Sequence, residues 1–126
     1  MKLNPDCIRD ILMSGEEVCE VDCPFESDKD MTERLQAYSY DELIYHARQC
    51  EMACLIIRLR ISDFGRFTFD DLTPSGHEFL ANIHNDTIWK GVKETAVKVG
   101  STSLSALTQI ATNVITTLIK TQFGLP

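Results

Sequence analysis

The chain has 126 residues, 44 % apolar and 25 % charged, with 12 Lys/Arg against 19 Asp/Glu and a net charge of −7. That is the composition of one ordinary soluble domain, long enough to bury a real core and too short for a second full-sized one. The acid is concentrated: residues 1 to 53 carry five Lys/Arg against thirteen Asp/Glu, a half that repels phosphate, whereas residues 54 to 126 carry seven against six.

In chain order, the first element is a helix over "NPDCIRDILMSG", with Asn4 as N-cap, Pro5 at the first helical position, Asp6 at the positive helix end and Gly15 as the stop; Ile8, Ile11 and Leu12 face inward. "EEVCEVDC" alternates weakly and reads as a short strand, and "PFESDKDMTER" reads as a polar loop. A second helix of about fourteen residues starts at the capping box Ser39-x-x-Glu42 and carries Leu43, Ala47, Cys50 and Cys54 on its inward stripe.

"LIIRLRI" then switches to period two, with Ile57, Leu59 and Ile61 on one face and Arg58 and Arg60 on the other. "SDFG" turns the chain, and "RFTFDDL" alternates again through Phe67 and Phe69, so residues 55 to 72 form an antiparallel hairpin. A helix follows directly in "DLTPSGHEFLANI", capped by Thr73 with Pro74 in its first turn and Phe79, Leu80 and Ile83 as its apolar stripe.

The last third is helical throughout. Asp86 to Lys98 gives one helix broken at Gly100, and Ser101 or Ser103 caps another in which Leu107, Ala111, Val114 and Leu118 form one stripe and Ile110, Ile115 and Ile119 a second. One stripe is more than a small core consumes, which predicts a homodimer whose interface includes Leu107, Ala111, Val114 and Leu118. Val99 to Ile119 carries no charge, but about half of it is Ser, Thr, Asn or Gln, which makes a soluble amphipathic helix the better reading than a membrane span. Absence of a charged-apolar-small leader and an odd count of five cysteines predict a cytoplasmic protein with reduced thiols and no disulfide framework.

Helix, weak strand, connection, helix, two-stranded hairpin, helix is the order of a winged helix, with the helix before the hairpin as recognition helix and the hairpin as wing. The expected fold is therefore α+β and mostly helical: a winged helix-turn-helix over residues 1–84 with a two-stranded wing, and a C-terminal helical pair over 85–126. "YSYDELIYH" and "LTPSGHEFLANI", with Trp89 beyond, resemble an uncharacterised family of bacterial and phage proteins known as a domain of unknown function. The resemblance implies a winged-helix fold and a phage or prophage setting. Where such domains commonly have Glu-Ala-Gly-Leu-Ile, this chain has Met52-Ala53-Cys54-Leu55-Ile56. A glycine there ends the helix left-handed; a cysteine is strained by roughly 1 kcal/mol or ends it differently.

Several constellations invite chemistry. Cys19-x-x-x-Cys23 and Cys50-x-x-x-Cys54 could supply four zinc ligands, yet Cys50 and Cys54 sit where cysteine is simply a small hydrophobe. His46, His77 and His84 have no metal-helix spacing, and neither a nucleophile elbow nor a phosphate loop is present. His77 reads as a surface or capping residue, and the pairs Asp70-Asp71 and Glu16-Glu17 as solvated charges. The expectation is no enzyme, no metal and no cofactor. Arg58, Arg60 and Arg66 on the wing could contact the phosphates of double-stranded DNA, with Tyr45, Arg48 and Gln49 as readers on the recognition helix, although Asp41, Glu42 and Glu51 oppose them there. Two functions stay open: a DNA-binding regulator, and an adaptor for an unidentified protein partner without DNA binding.

Overall fold

The computed structural model describes residues 1–63 and 65–126 and is α+β, combining helices with small antiparallel sheets. It divides into two compact units, Met1–His77 and Glu78–Pro126.

The first unit begins with α1 (Pro5–Val18), capped by Asn4, whose side chain accepts a hydrogen bond from the Asp6 N–H at 3.0 Å. Gly15 does not stop this helix. It is buried in the last full turn, where an added Cβ would lie 2.8 Å from both Leu72 Cδ1 and Phe69 Cε2, so glycine serves there to let the sheet approach the helix. The strand expected over residues 16–23 is likewise absent: after α1 the chain makes a tight turn in which Glu20 and Cys23 exchange backbone hydrogen bonds, with Asp22 left-handed at φ 59°.

The segment read as loop instead carries β1 (Phe25–Glu26) and α2 (Glu33–Gln36), anchored by the buried Phe25 and Leu35. Elements of two and four residues are too short to show a period. Next, α3 (Tyr40–Met52) starts at the expected capping box, with Ser39 and Glu42 exchanging side-chain-to-backbone hydrogen bonds. Its inward residues Leu43, Ala47 and Cys50 are buried. Cys54 departs from that stripe. It is exposed and left-handed at φ 60°, because the chain turns off the helix: the Leu55 N–H donates to the Cys50 carbonyl and the Cys54 N–H to that of Glu51.

The hairpin runs as β2 (Ile56–Ile57), β3 (Arg60–Ile61), β4 (Phe67–Phe69) and β5 (Asp71–Leu72). β2 pairs with β5, while β1, β4 and β3 form a second sheet in that order. Arg58, left-handed at φ 56°, separates β2 from β3 and breaks the alternation expected along "LIIRLRI". As a result Ile56 is buried whereas Ile57 and Ile61 are exposed. The turn holds Ser62 and Gly65, the latter at φ 84°; Phe64, part of the expected turn, lies outside the described residues. Phe25 stacks on Phe69 with ring centroids 4.9 Å apart and packs against Phe67 at 5.7 Å, so β1 is held by aromatic burial more than by its own length.

The boundary between units falls inside α4 (Pro74–Ile83). Its first turn is built as expected: the Thr73 hydroxyl accepts from the Gly76 N–H at 2.9 Å and donates to the Cys54 carbonyl. In the second unit, α5 (Asp86–Val99) is capped by Asn85 and ends on left-handed Gly100, and α6 (Leu104–Gln122) is capped by Ser103. Trp89, Val92 and Ala96 of α5 are buried with Leu104, Leu107 and Ala111 of α6 where the two helices pack together. No helix of the described residues is long and apolar enough to cross a membrane.

Candidate nucleic-acid interface

The three hairpin arginines converge on carboxylates. Arg60 Nη2 lies 2.8 Å from Asp70 Oδ1 while its Nε donates to Thr68 Oγ1 at 3.0 Å; Arg58 Nη1 reaches the other oxygen of Asp70 at 3.3 Å. Arg66 Nη1 bonds Asp28 Oδ2 at 2.9 Å. The guanidinium of Arg60, aided by that of Arg58, holds the Asp70 carboxyl below the usual carboxylate range, and Arg66 does the same for Asp28. A shallow hollow of about 210 Å³ between Glu26, Asp28, Arg60 and Arg66 is thus lined by both signs of charge.

Behind Asp70 a second hollow, about 240 Å³, is lined by Glu20, Asp22, Cys23 and Pro24 and is acidic. Glu51, at the end of α3, accepts the Leu59 N–H at 2.7 Å and thereby places one more carboxylate beside the Arg58 turn.

On α3, Arg48 is exposed and Tyr45 and Gln49 are half-buried. Tyr45 packs edge-on against His46, ring centroids 4.9 Å apart. His46 is itself a structural bolt: buried, it accepts the Asn4 N–H on Nε2 at 2.8 Å, while Nδ1 faces the Glu42 carbonyl at 2.7 Å. The N-terminus of α1 is therefore tied to the first turns of α3. His77 is exposed, with Nε2 3.8 Å from Asp71.

Two sequence readings change on this geometry. Asp70 and Glu17 are not merely solvated: Asp70 gathers two arginines, and Glu17 takes both terminal nitrogens of Arg34 at 2.8 Å. Of the residues expected at a dimer interface, Leu107 and Ala111 are fully buried within the chain, Val114 is half-buried and Leu118 is exposed. The first two fill the second unit's own core and offer no free face.

The cysteines fall into two environments. Burial pushes the Cys7 thiol up to about 12 and Cys19 to about 11, and raises fully buried Cys50 further, so these are poor thiolates. Cys23 and Cys54 are exposed. Among the described residues no group of His, Cys, Asp or Glu is arranged to hold a metal ion.

Asp28 was invisible from sequence because it lies 38 residues before its partner, in a segment without period. Asp70 could have been found: a hairpin register that sets Ile57 opposite Asp71 and Arg60 opposite Thr68 places position 70 beside both arginines.

These features define an α+β protein whose basic hairpin edge is neutralised by its own acid. The chain belongs to the family described as hypothetical protein (DUF2513), which matches residues 2–103. It is similar to an uncharacterised protein of Haemophilus influenzae, 30 % identical over 123 residues, covering 94 % of this chain and 99 % of that one. No solved structure matches.

Proposed function

We propose that the first unit is a winged helix, with α3 in the place of the recognition helix and the β3–β4 hairpin as wing, and that it works as a protein-interaction adaptor. Support for the fold comes from the element order α1, β1, α2, α3, hairpin and from the sheet order β1-β4-β3, in which the strand after the first helix joins the wing. The phage or prophage setting implied by the sequence resemblance belongs to the same proposal.

The observation that carries the function is the pairing of all three wing arginines with Asp70 and Asp28. A wing binds DNA by exchanging counterions on phosphate for its own cations, and cations already matched by carboxylates bring no such exchange. Asp41 and Glu51, exposed on α3, add repulsion where bases would be read. DNA binding is the second reading, favoured by the exposure of the arginine side chains, since surface ion pairs are weak enough for phosphate to displace.

Fluorescence anisotropy with a random-sequence duplex at low salt separates the two. The adaptor shows no binding; a duplex bound with affinity that falls steeply as salt rises overturns the reading.

A further inference from the structure

We infer that α6 is a self-association surface, through which two copies of the chain pair about a two-fold axis. This rests on the second unit alone and is independent of the role of the wing.

α6 is five residues longer than α5. Toward its C-terminal end Leu118 and Ile119 are 48 % and 51 % exposed, and Phe123 just beyond it 73 %. An open groove of about 310 Å³ lies between Thr95 of α5 and Ile110, Asn113, Val114, Thr117 and Leu118 of α6.

Of the two threonines that line the groove, Thr95 is ready for burial: its hydroxyl donates to the Gly91 carbonyl at 2.9 Å, so its donor is spent inside α5 and covering it orphans no hydroxyl proton.

Charge selects the occupant. The first unit carries eight Lys/Arg against sixteen Asp/Glu, whereas the second carries four Lys against three Asp/Glu, and Leu104 to Ile119 has no charged residue at all. A basic partner is drawn to the first unit, and an acidic one finds no cation along the groove. A charge-free, half-apolar face is matched by another of the same kind, and the near-neutral second unit is where two acidic chains can approach without repulsion. In an isologous pair the exposed Leu118 on the wall of each groove packs against the groove of the other copy. One helix length of contact belongs with small, transient interfaces, so association falls in the micromolar range.

Sedimentation equilibrium of the whole chain from about 1 to about 100 µM, a span that brackets such weak association, should move the mass from 14.3 kDa toward twice that value. The double substitution Thr117→Glu, Leu118→Glu, at exposed positions, should weaken pairing about a hundredfold because each change occurs twice in the interface. Hydrogen exchange of the unaltered chain over the same concentrations should slow in α6 and not in α3, which decides the matter without a variant. A monomer throughout, a substituted chain that still pairs, or concentration-dependent protection outside α6 overturns the proposal.

Discussion

The helices α3 and α5 end in the same way with different residues. Each closes with the hydrogen-bond pair of a left-handed cap: in α3 from Leu55 to Cys50 and from Cys54 to Glu51, in α5 from Ser101 to Ala96 and from Gly100 to Val97. The left-handed position is Gly100 at φ 75° in one and Cys54 at φ 60° in the other. Glycine takes that conformation without penalty, whereas a Cβ opposes it. In α3 the strain is held by what surrounds it, since the Thr73 hydroxyl bonds the Cys54 carbonyl and the Thr73 N–H bonds that of Leu55 at 3.0 Å. The contrast extends to the units. The first is acidic, with its strained turns fastened by side-chain hydrogen bonds; the second is near-neutral, capped in the ordinary way, and leaves apolar surface in water.

The largest expected difference between the units is in alkali. Cys7, Cys19, Cys50 and Tyr38 all belong to the first unit, and burial raises each of them, with the Asp10 carboxylate at 2.7 Å adding to the shift of Tyr38. The second unit contains neither cysteine nor tyrosine. For an acid whose folded value is raised, the stability it contributes is fully present below its unfolded value and is lost as pH rises toward the folded one. The window therefore opens near 9.0, the ordinary thiol value, and extends to about 11 for Cys19 and about 12 for Cys7. Fully buried Cys50, whose thiol burial raises as well, adds to the loss across it. Hydrogen exchange read helix by helix, with Trp89 fluorescence reporting on the second unit, should show α1 and α3 opening before α5 and α6. Simultaneous loss of both would erase the distinction.

Gly76→Ala comes next. A Cβ at that position would sit 2.1 Å from the Leu55 carbonyl oxygen, a backbone atom that cannot swing aside. Displacing the start of α4 from the end of α3 should cost at least about 3 kcal/mol, the upper range for overpacking. Gly91→Ala, where nothing lies within 4 Å, is the control in the second unit, and its thermal midpoint should not fall.

Much of this was legible in the sequence and some was not, for identifiable reasons. Caps were readable because they are local chemistry: Asn4, Ser39, Thr73 and Ser103 each bond the backbone two or three residues on. The hairpin was readable from Phe67 and Phe69. Gly15 misled because a glycine required by a close neighbour looks the same in sequence as one that ends a helix, and the neighbours, Phe69 and Leu72, lie more than fifty residues away. In "LIIRLRI" Arg58 and Arg60 face outward as expected, but Ile57 and Ile61 are exposed as well, because left-handed Arg58 interrupts the strand and with it the alternation. Basic residues on a hairpin could be counted, but their neutralisation by Asp28 depends on a strand pairing that no local pattern encodes.

The comparison of helix ends gives a pair of opposite, equal changes. Cys54→Gly should stabilise the chain by about 1 kcal/mol by removing the left-handed penalty, less the flexibility glycine adds to the unfolded chain. Gly100→Ala should destabilise it by a similar amount, about 1 kcal/mol. Chemical denaturation measures both. A Cys54→Gly chain no more stable than the original would mean that the cysteine side chain contributes contacts that compensate its backbone.

The smallest effect on stability, and the sharpest on the wing, belongs to Asp28→Asn with Asp70→Asn. The ion pairs are exposed, so their loss should leave the thermal midpoint unchanged. The charge of the hairpin edge changes by two units nonetheless, and Arg58, Arg60 and Arg66 become available together. If self-neutralisation is what keeps the wing from DNA, the doubly substituted chain should bind a random duplex at low salt. Its logarithmic salt slope should approach about −3, nearly one per arginine–phosphate contact. Restoring Asp70 alone should return Arg58 and Arg60 to their pairs and reduce the slope to about −1. A substituted chain that ignores DNA would place the obstacle elsewhere, in the carboxylates of α3 and the acidic hollow behind Asp70, and would make the hairpin arginines a device for fastening β1 and the turn at Arg58 rather than a masked surface.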